Sequence, residues 1–227
     1  MEQPDLVFRI ATWLIPLVFA IVLHEISHGW VANAFGDPTA KEQGRLSPNP
    51  VRHVDPVGTV GLPLLLAVTG MPVFGWAKPV PVVAARMRNP RLHMVLVALA
   101  GPGMNLLLAF LAALTLAFAF AWAKPPVGFW TMFALANLNN FLILNVFLAV
   151  FNMLPVPPFD GGHVVEGLLP RRMVGGWRGL GRYAFPILIV LLLVLPMISP
   201  RLSVVAWLVV PPVEALLGLI FAITGLG

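Results

Sequence analysis

The sequence predicts an all-α polytopic membrane protein with five to six transmembrane helices. Hydrophobic residues make up 59% of the 227 residues, charged residues only 10%, and the mean hydropathy is +0.91. Soluble domains carry about 25% charged residues, so this chain cannot build a water-facing surface. Its apolar residues are also grouped in long stretches, and a spanning helix needs about 20 of them. We therefore expect one membrane-embedded domain, 1–227.

Five mostly apolar stretches are long enough for spanning helices. They lie at 8–35, 92–122, 128–154, 183–199 and 202–225. The first three fall within an expected core at 8–162, and the last two form C-terminal helices within 183–225. The N-terminus is acidic where a signal peptide is basic, so we expect the first helix to remain in the protein.

The stretch 56–77 is also apolar, yet its composition is unfavourable for a straight spanning helix. It contains three prolines and four glycines, namely Pro56, Pro63, Pro72, Gly58, Gly61, Gly70 and Gly75. Proline and glycine both destabilise helix interiors. We expect a re-entrant or β-like membrane insertion between the first two core helices. Residues 58–60 would then offer a strand-like edge beside which an unwound substrate could add.

The first apolar helix contains the motif His24-Glu25-Ile26-Ser27-His28, an HExxH pattern. Residues i and i+4 lie one above the other on one helix face, so two imidazoles at this spacing can hold one Zn²⁺. The intervening Glu25 can then act on the attacking water. The alternative is a polar cluster at the end of a span, but ionisable groups inside a span are costly and usually functional.

Two histidines supply half of a tetrahedral site, and a catalytic zinc takes a third protein ligand. The chain has no cysteine, so this ligand must be His, Asp or Glu. Asp160 is the natural candidate, because prolines end the preceding helix and Gly161 and Gly162 allow the chain to turn back. The alternative interpretation is a solvated Asp at a proline-rich helix exit.

In these motifs the chain resembles the site-2 proteases, a family of intramembrane zinc metalloproteases. The resemblance extends over nearly the whole chain and is closest to the compact members that lack a PDZ or regulatory domain. It is carried by 24–28, 36–40, 44–50 with His53, 55–59, 75–80, 100–102 with Asn105, and 152–162.

The resemblance implies a core of three helices that carries one Zn²⁺ per chain. His24, His28 and Asp160 would be the zinc ligands and Glu25 the catalytic base. The implied activity is that of a zinc metalloendopeptidase, which hydrolyses peptide bonds within or near transmembrane segments of membrane-anchored substrates, in regulated intramembrane proteolysis. The implied partners are a transmembrane protein substrate and membrane lipid.

Three further polar residues are candidates for binding substrate or stabilising the oxyanion. Asn105 and Asn152 are uncharged hydrogen-bond donors within membrane helices, where an amide is costly unless it is bonded. Hydrogen bonding between helices is an equally good explanation for each of them. His53 is a third candidate, although a histidine in a loop is commonly no more than a loop residue.

The distribution of positive charge predicts the orientation in the membrane. Asp160 can meet His24 only if the chain crosses an even number of times between them, so 56–77 should not span. One side then carries Lys41, Arg45, Arg52, Lys78, Arg86, Arg88, Arg91, Arg171, Arg172, Arg178 and Arg182, and the other only Arg9, Lys124 and Arg201. The positive-inside rule places the zinc side and the C-terminus in the cytoplasm and the N-terminus outside, in a prokaryotic cytoplasmic membrane. These basic loops suit anionic lipid better than nucleic acid.

Two other functions remain as alternatives. A proton- or ion-coupled transporter would use the intramembrane His and Glu as an ion path, and it would be expected to show inverted repeats and polar residues on several helices. A non-catalytic membrane scaffold would be expected to have lost Glu25 or a metal ligand. The sequence shows no internal repeat, and all four residues are present.

Overall fold

The structure, a computed structural model, describes residues 6–61, 65, 68, 77–122 and 127–226. Its regular structure in these ranges is helical, without a strand. The α-helices are α1 (Leu6–Ala34), α2 (Thr39–Glu42), α3 (Pro90–Trp122), α4 (Phe129–Asn152), α5 (Asp160–Leu168), α6 (Arg171–Gly181), α7 (Ala184–Ile189), α8 (Leu195–Ile198) and α9 (Val210–Thr224). Short 3-10 or π-helical turns lie at Pro50–His53, Pro56–Gly61, Ala84–Arg86, Val190–Val194, Pro200–Leu202 and Val205–Val209.

Within the described ranges, four helical stretches are long and apolar enough to cross a membrane, which confirms the predicted fold class. They are Leu6–Ala34, Pro90–Trp122, Phe129–Asn152 and Val205–Thr224. The predicted span 183–199 is helical but short. It follows α6 at an angle of 68°, and the bent pair Arg171–Gly181 and Pro186–Ile198 makes a fifth span if it crosses as one unit.

Helices α1, α3 and α4 pack against one another and form the core of the bundle. The contacts at their ends show that α1 and α4 run parallel and that α3 runs the opposite way. Phe8 of α1 packs against Phe129 and Phe133 of α4, with ring centroids 5.7 and 5.5 Å apart. Many of the buried core residues are small, including Ala20, Ala109, Ala112, Ala113 and Ala149. Small residues let helix backbones approach closely inside a membrane.

The connection from α1 to α3 returns to the side from which it left. The Arg88 N–H donates to the Phe35 carbonyl at 3.2 Å, and the ring of His93 stacks on that of Phe35 with centroids 4.1 Å apart. The Lys78 N–H donates to the His53 carbonyl at 2.8 Å. Both ends of the 54–77 excursion are therefore adjacent, as expected for a segment that makes no net crossing.

The described part of 56–77 differs from a strand. Residues 58–60, expected to form a strand-like edge, lie in the π-helical turn Pro56–Gly61, so that prediction is wrong for these residues. Asp55 stabilises the turn, because its carboxylate accepts hydrogen bonds from the N–H groups of Val57 and Gly58 at 3.0 and 2.7 Å. The remainder of the predicted insertion, apart from residues 65, 68 and 77, lies outside the described residues.

Candidate metal centre

The two histidines of the HExxH motif lie one turn apart on the buried face of α1. Both side chains are buried, and the two rings are nearly perpendicular, with centroids 4.7 Å apart. Their Nε2 atoms are 3.1 Å from each other. The i, i+4 spacing thus directs two potential ligand atoms at one point inside the bundle.

Asp160 reaches the same point because the chain reverses direction after α4. Helix α4 ends at Asn152, and α5 begins at Asp160 after a proline-containing turn. A Cβ atom at Gly161 would lie 2.4 Å from the Met153 carbonyl oxygen and 2.5 Å from that of Leu154, so no side chain fits there. Glycine therefore lets the first turn of α5 press against the end of α4. Asp160 Oδ2 lies 3.2 Å from His24 Nε2 and 3.4 Å from His28 Nε2.

Hydrogen bonds on the far side of each imidazole determine which nitrogen faces the centre. His28 Nδ1 lies 2.7 Å from the Val97 carbonyl oxygen, and His24 Nδ1 lies 2.6 Å from Asn105 Oδ1. Both partners are acceptors, so each Nδ1 carries the proton and donates it. In the neutral ring the free electron pair is then on Nε2, the form in which histidine binds a metal.

Three electron-pair donors thus converge without a proton between them, and this arrangement fits a metal ion. Asp160 Oδ2 is buried and has no hydrogen-bond partner among the residues that the structure describes. Zinc bonds of about 2.0–2.1 Å to nitrogen or oxygen would separate tetrahedral ligand atoms by about 3.3–3.4 Å. The observed separations are 3.1, 3.2 and 3.4 Å. Within the described ranges, His24, His28 and Asp160 are the group that satisfies the spacing of a metal site.

Glu25, between the two histidines, is held by an extended segment that follows the predicted insertion. Its Oε2 accepts a hydrogen bond from the Val80 N–H at 2.8 Å. The guanidinium of Arg45 in turn donates to the Lys78 carbonyl at 2.7 Å and to the Pro79 carbonyl at 3.3 Å. This segment, 77–83, therefore positions the Glu25 carboxylate through main-chain hydrogen bonds.

Asp37 anchors the other end of segment 77–83. It is fully buried, and its carboxylate accepts hydrogen bonds from the Val83 N–H and from the N–H and hydroxyl of Thr39. Burial opposes ionisation, but the hydrogen bonds from Thr39 and Val83 and the charge of Arg86 hold the pKa of Asp37 below its usual value. The carboxylate is thus suited to fix the segment at neutral pH.

The other three predicted site residues occupy different surroundings. Asn105 contacts His24, and its amide nitrogen donates to Asn145 Oδ1 at 2.7 Å. Asn152 donates to the Leu148 carbonyl of its own helix at 3.0 Å and is only partly buried. His53 is buried, with Nε2 2.9 Å from the Ser47 carbonyl oxygen, and its Nδ1 has no hydrogen-bond partner within the described residues.

Sequence reasoning assigned no role to four residues that surround the two histidines and Glu25, namely Asn145, Val80, Val97 and Gly101. Asn145 could have been noticed as one of several asparagines in an apolar helix. Val80 and Val97 act only through main-chain atoms, so their side chains carry no signal of these contacts. Gly101 lies within the region of resemblance, but its contact with both imidazoles depends on how α3 packs on α1.

Comparisons with known proteins indicate the family of the chain. The model of peptidase family M50 matches residues 127–195, which include Asp160 but not the HExxH motif. "Putative zinc metalloprotease YwhC" of Bacillus subtilis strain 168 is 37% identical over 194 residues, which cover 86% of this chain and 83% of the relative. "Putative zinc metalloprotease Rip2" of Mycolicibacterium smegmatis is 33% identical, with 81% of this chain and 66% of the relative covered.

The protein of the same name from Mycobacterium tuberculosis H37Rv is 34% identical over 209 residues, which cover 89% of this chain and 73% of the relative. No solved structure matches the chain. The identity to YwhC and its coverage of both chains are sufficient to show the family. The chain therefore belongs to peptidase family M50, the site-2 protease family of membrane zinc metalloendopeptidases.

Proposed function

We propose that the chain hydrolyses peptide bonds within or near transmembrane segments of membrane-anchored substrates, as an intramembrane protease. His24, His28 and Asp160 hold one zinc ion, and Glu25 is the catalytic base. The observation that carries the proposal is the convergence of three electron-pair donors, 3.1–3.4 Å apart, beside a held carboxylate. Zinc bound there supplies Lewis acidity, which polarises the scissile carbonyl and makes water nucleophilic near neutral pH.

Glu25 takes the proton of the attacking water and delivers it to the leaving amine. Its side chain is not among the three converging ligands, and the Val80 N–H bonded to Oε2 fixes the direction of the carboxylate. The two imidazoles and Asp160 do not need to move protons, because their roles are to hold and orient the metal. Loss of Glu25 should therefore stop chemistry without emptying the site.

The depth of the site supports a substrate within the membrane. His24 lies 18 residues after the start of α1 and 10 residues before its end, about 27 and 15 Å along the helix axis. An apolar groove of about 450 Å³ lies between α3, α4 and α9. It is lined by Pro102, Leu106, Ala149, Met153, Leu208 and Leu216 among others, and Pro102 follows the Gly101 that contacts both histidines. An apolar peptide segment suits such a lining.

We also propose that the zinc side and the C-terminus face the cytoplasm and that the N-terminus lies outside. The parallel directions of α1 and α4 and the opposite direction of α3 support this orientation, because the loops that are rich in Lys and Arg then share one side. The basic helix α6, with Arg171, Arg172 and Arg178 exposed, lies on that side as well. Its 68° angle to the helix that follows suits a helix in the membrane interface.

The decisive variant is Glu25→Gln, measured with a model transmembrane substrate in detergent. We expect cleavage to fall at least about 100-fold, because general acid–base catalysis contributes about 10²–10⁴ in rate. Bound zinc, measured by elemental analysis, should remain at the wild-type level. Glu42→Gln is the control, since the Glu42 carboxylate is exposed and pairs with Arg86 rather than with His24, His28, Asp160 or Val80.

Asp160→Ala distinguishes the loss of zinc binding from the loss of proton transfer. It should lose both zinc and cleavage, because two histidines alone leave the site open. If Glu25→Gln cleaves at the wild-type rate, Glu25 is not the base. If Asp160→Ala keeps its zinc after mild chelation, the third ligand lies elsewhere, and His53 is the next residue to test. A wild-type chain that binds the model transmembrane substrate without cleaving it would indicate the scaffold function instead.

A further inference from the structure

A chain of hydrogen bonds leads from His24 into the centre of the helical bundle. His24 Nδ1 lies 2.6 Å from Asn105 Oδ1 in α3, and Asn105 Nδ2 donates to Asn145 Oδ1 in α4 at 2.7 Å. Asn145 Nδ2 donates to the Phe141 carbonyl at 2.7 Å. Both asparagines are 0% exposed. Helices α1, α3 and α4 are thus joined at the level of the metal centre.

The last member of this chain determines the orientation of all the others. A main-chain carbonyl can only accept, so the Asn145 amide must turn its NH₂ group toward Phe141 and its oxygen toward Asn105. Asn105 must then present its NH₂ group to Asn145 and its oxygen to His24. A second contact agrees, because Asn105 Nδ2 also lies 3.4 Å from the Ala20 carbonyl oxygen. His24 Nδ1 therefore faces an acceptor and must carry the proton.

The opposite orientation would be incompatible with a metal ligand. If Asn105 turned its NH₂ group toward His24, Nδ1 would have to accept, and the proton of the neutral ring would move to Nε2. That proton would point at His28 Nε2 and Asp160 Oδ2, where the metal belongs. His28 has no such ambiguity, since its Nδ1 donates directly to the Val97 carbonyl.

We propose that Asn145 is a positioning residue that selects the metal-binding tautomer of His24 through Asn105. This inference rests on the proposed zinc site and gives Asn105 a role different from oxyanion stabilisation, since both ends of its amide are already engaged within the bundle. Among the described residues, the hydrogen bonds of the Asn145 side chain go to Asn105 and Phe141, and none goes to His24, His28 or Asp160. It acts by fixing which end of Asn105 faces His24.

The test measures zinc affinity of the full-length detergent-solubilised chain by competition with a chelator, in the absence of substrate. Asn145→Leu should raise the Kd for zinc about 10- to 100-fold, the usual effect of losing an outer partner of a metal-bound histidine. Asn140→Leu is the matched control. Asn140 is also a buried asparagine of α4, and it donates to the Thr12 carbonyl of α1 at 2.8 Å. Its loss should weaken helix packing and leave the Kd for zinc unchanged.

The same substitution in an Asn105→Asp background distinguishes positioning from simple packing. An aspartate presents an oxygen to His24 whichever way its carboxyl group turns, so it no longer needs Asn145 to orient it. Its second oxygen would face the Asn145 oxygen, so Asn145→Leu removes a repulsion there and should not raise the Kd for zinc relative to Asn105→Asp alone. Asn145→Ala serves in both backgrounds if the leucine variant does not fold.

A spectroscopic measurement reports the tautomer directly. The ¹⁵N NMR spectrum of zinc-free wild type labelled at histidine should show His24 protonated at Nδ1, and Asn145→Leu should lose this form while Asn140→Leu keeps it. The inference is overturned if Asn145→Leu binds zinc as tightly as Asn140→Leu, or if its effect is equal in both backgrounds. A wild-type chain that binds no zinc would instead contradict the proposed function.

Discussion

Gly101 shows how closely the residues around the histidines are packed. A Cβ atom at this position would lie 2.4 Å from His24 Cε1 and 2.5 Å from both Cε1 and Nε2 of His28. No carbon can lie that close to an atom to which it is not bonded, so any side chain at this position would displace both imidazole rings. The absence of a side chain at position 101 therefore allows His24 and His28 to take their observed positions on α1.

We expect Gly101→Ala to destabilise the protein by about 1–3 kcal/mol, the usual cost of overpacking a core, and to weaken zinc binding. Gly103→Ala is the control on the same helix, because a Cβ at Gly103 would meet no atom within 4 Å. That change should leave zinc binding intact and stabilise the helix slightly. Thermal unfolding with and without chelator measures both effects. Equal zinc affinity in the two alanine variants would contradict the steric explanation.

Segment 77–83 is the element that connects the loop side of the protein to Glu25. It has no regular secondary structure, so its main-chain groups are available to other parts of the chain. The N–H of Lys78 bonds to His53, that of Val80 to Glu25 and that of Val83 to Asp37. An extended segment can form such contacts with several elements at once, which a helix cannot do because its N–H groups are used internally.

Val80→Pro removes the N–H that holds Glu25, and proline is compatible with an extended backbone. We expect cleavage to fall about 10- to 100-fold, because a hydrogen bond to a charged group contributes about 1.5–3 kcal/mol. Val80→Ala keeps the N–H and loses similar packing, so it should retain most of the activity. Bound zinc should be the same in both variants. Equal kcat values for the two would show that Glu25 does not depend on this hydrogen bond.

At the scale of the whole molecule, the helix directions determine which loops share a side of the membrane. Phe35, directly after α1, contacts Arg88, which precedes α3, and His93 in the first turn of α3, whereas Phe8 contacts the start of α4. The loop before α3 and the loop between α3 and α4 must therefore lie on opposite sides.

The chain has no native cysteine, so single cysteines can report these sides in intact cells. An impermeant thiol reagent should label Val127→Cys, between α3 and α4, from outside. Arg52→Cys and Arg88→Cys, which flank the 54–77 excursion, should both stay protected until the membrane is opened. Labelling of Arg52→Cys and Arg88→Cys from different sides would mean that the 54–77 excursion crosses the membrane. That result would contradict the hydrogen bond between His53 and Lys78 at the two ends of the excursion.

The sequence by itself determined the membrane class, the approximate helix bounds and the residues from which a metal site could be built. Those features depend on local rules. The length of an apolar stretch indicates a membrane-spanning helix, and a spacing of four residues places two side chains on one helix face. Prolines followed by glycines indicate a reversal of the chain direction. Such rules apply within a few residues of the chain, so they can be applied without knowing how the helices pack.

Only the tertiary structure decided what surrounds these residues. Val80 is 55 residues from Glu25, Val97 is 69 from His28, and Asn105 is 81 from His24. Two of these contacts use main-chain atoms, which every residue possesses, and the third depends on Asn145 to orient an amide. Helix packing alone brings these groups within hydrogen-bond distance, and so the tautomer of the ligands and the direction of Glu25 are properties of the assembled bundle.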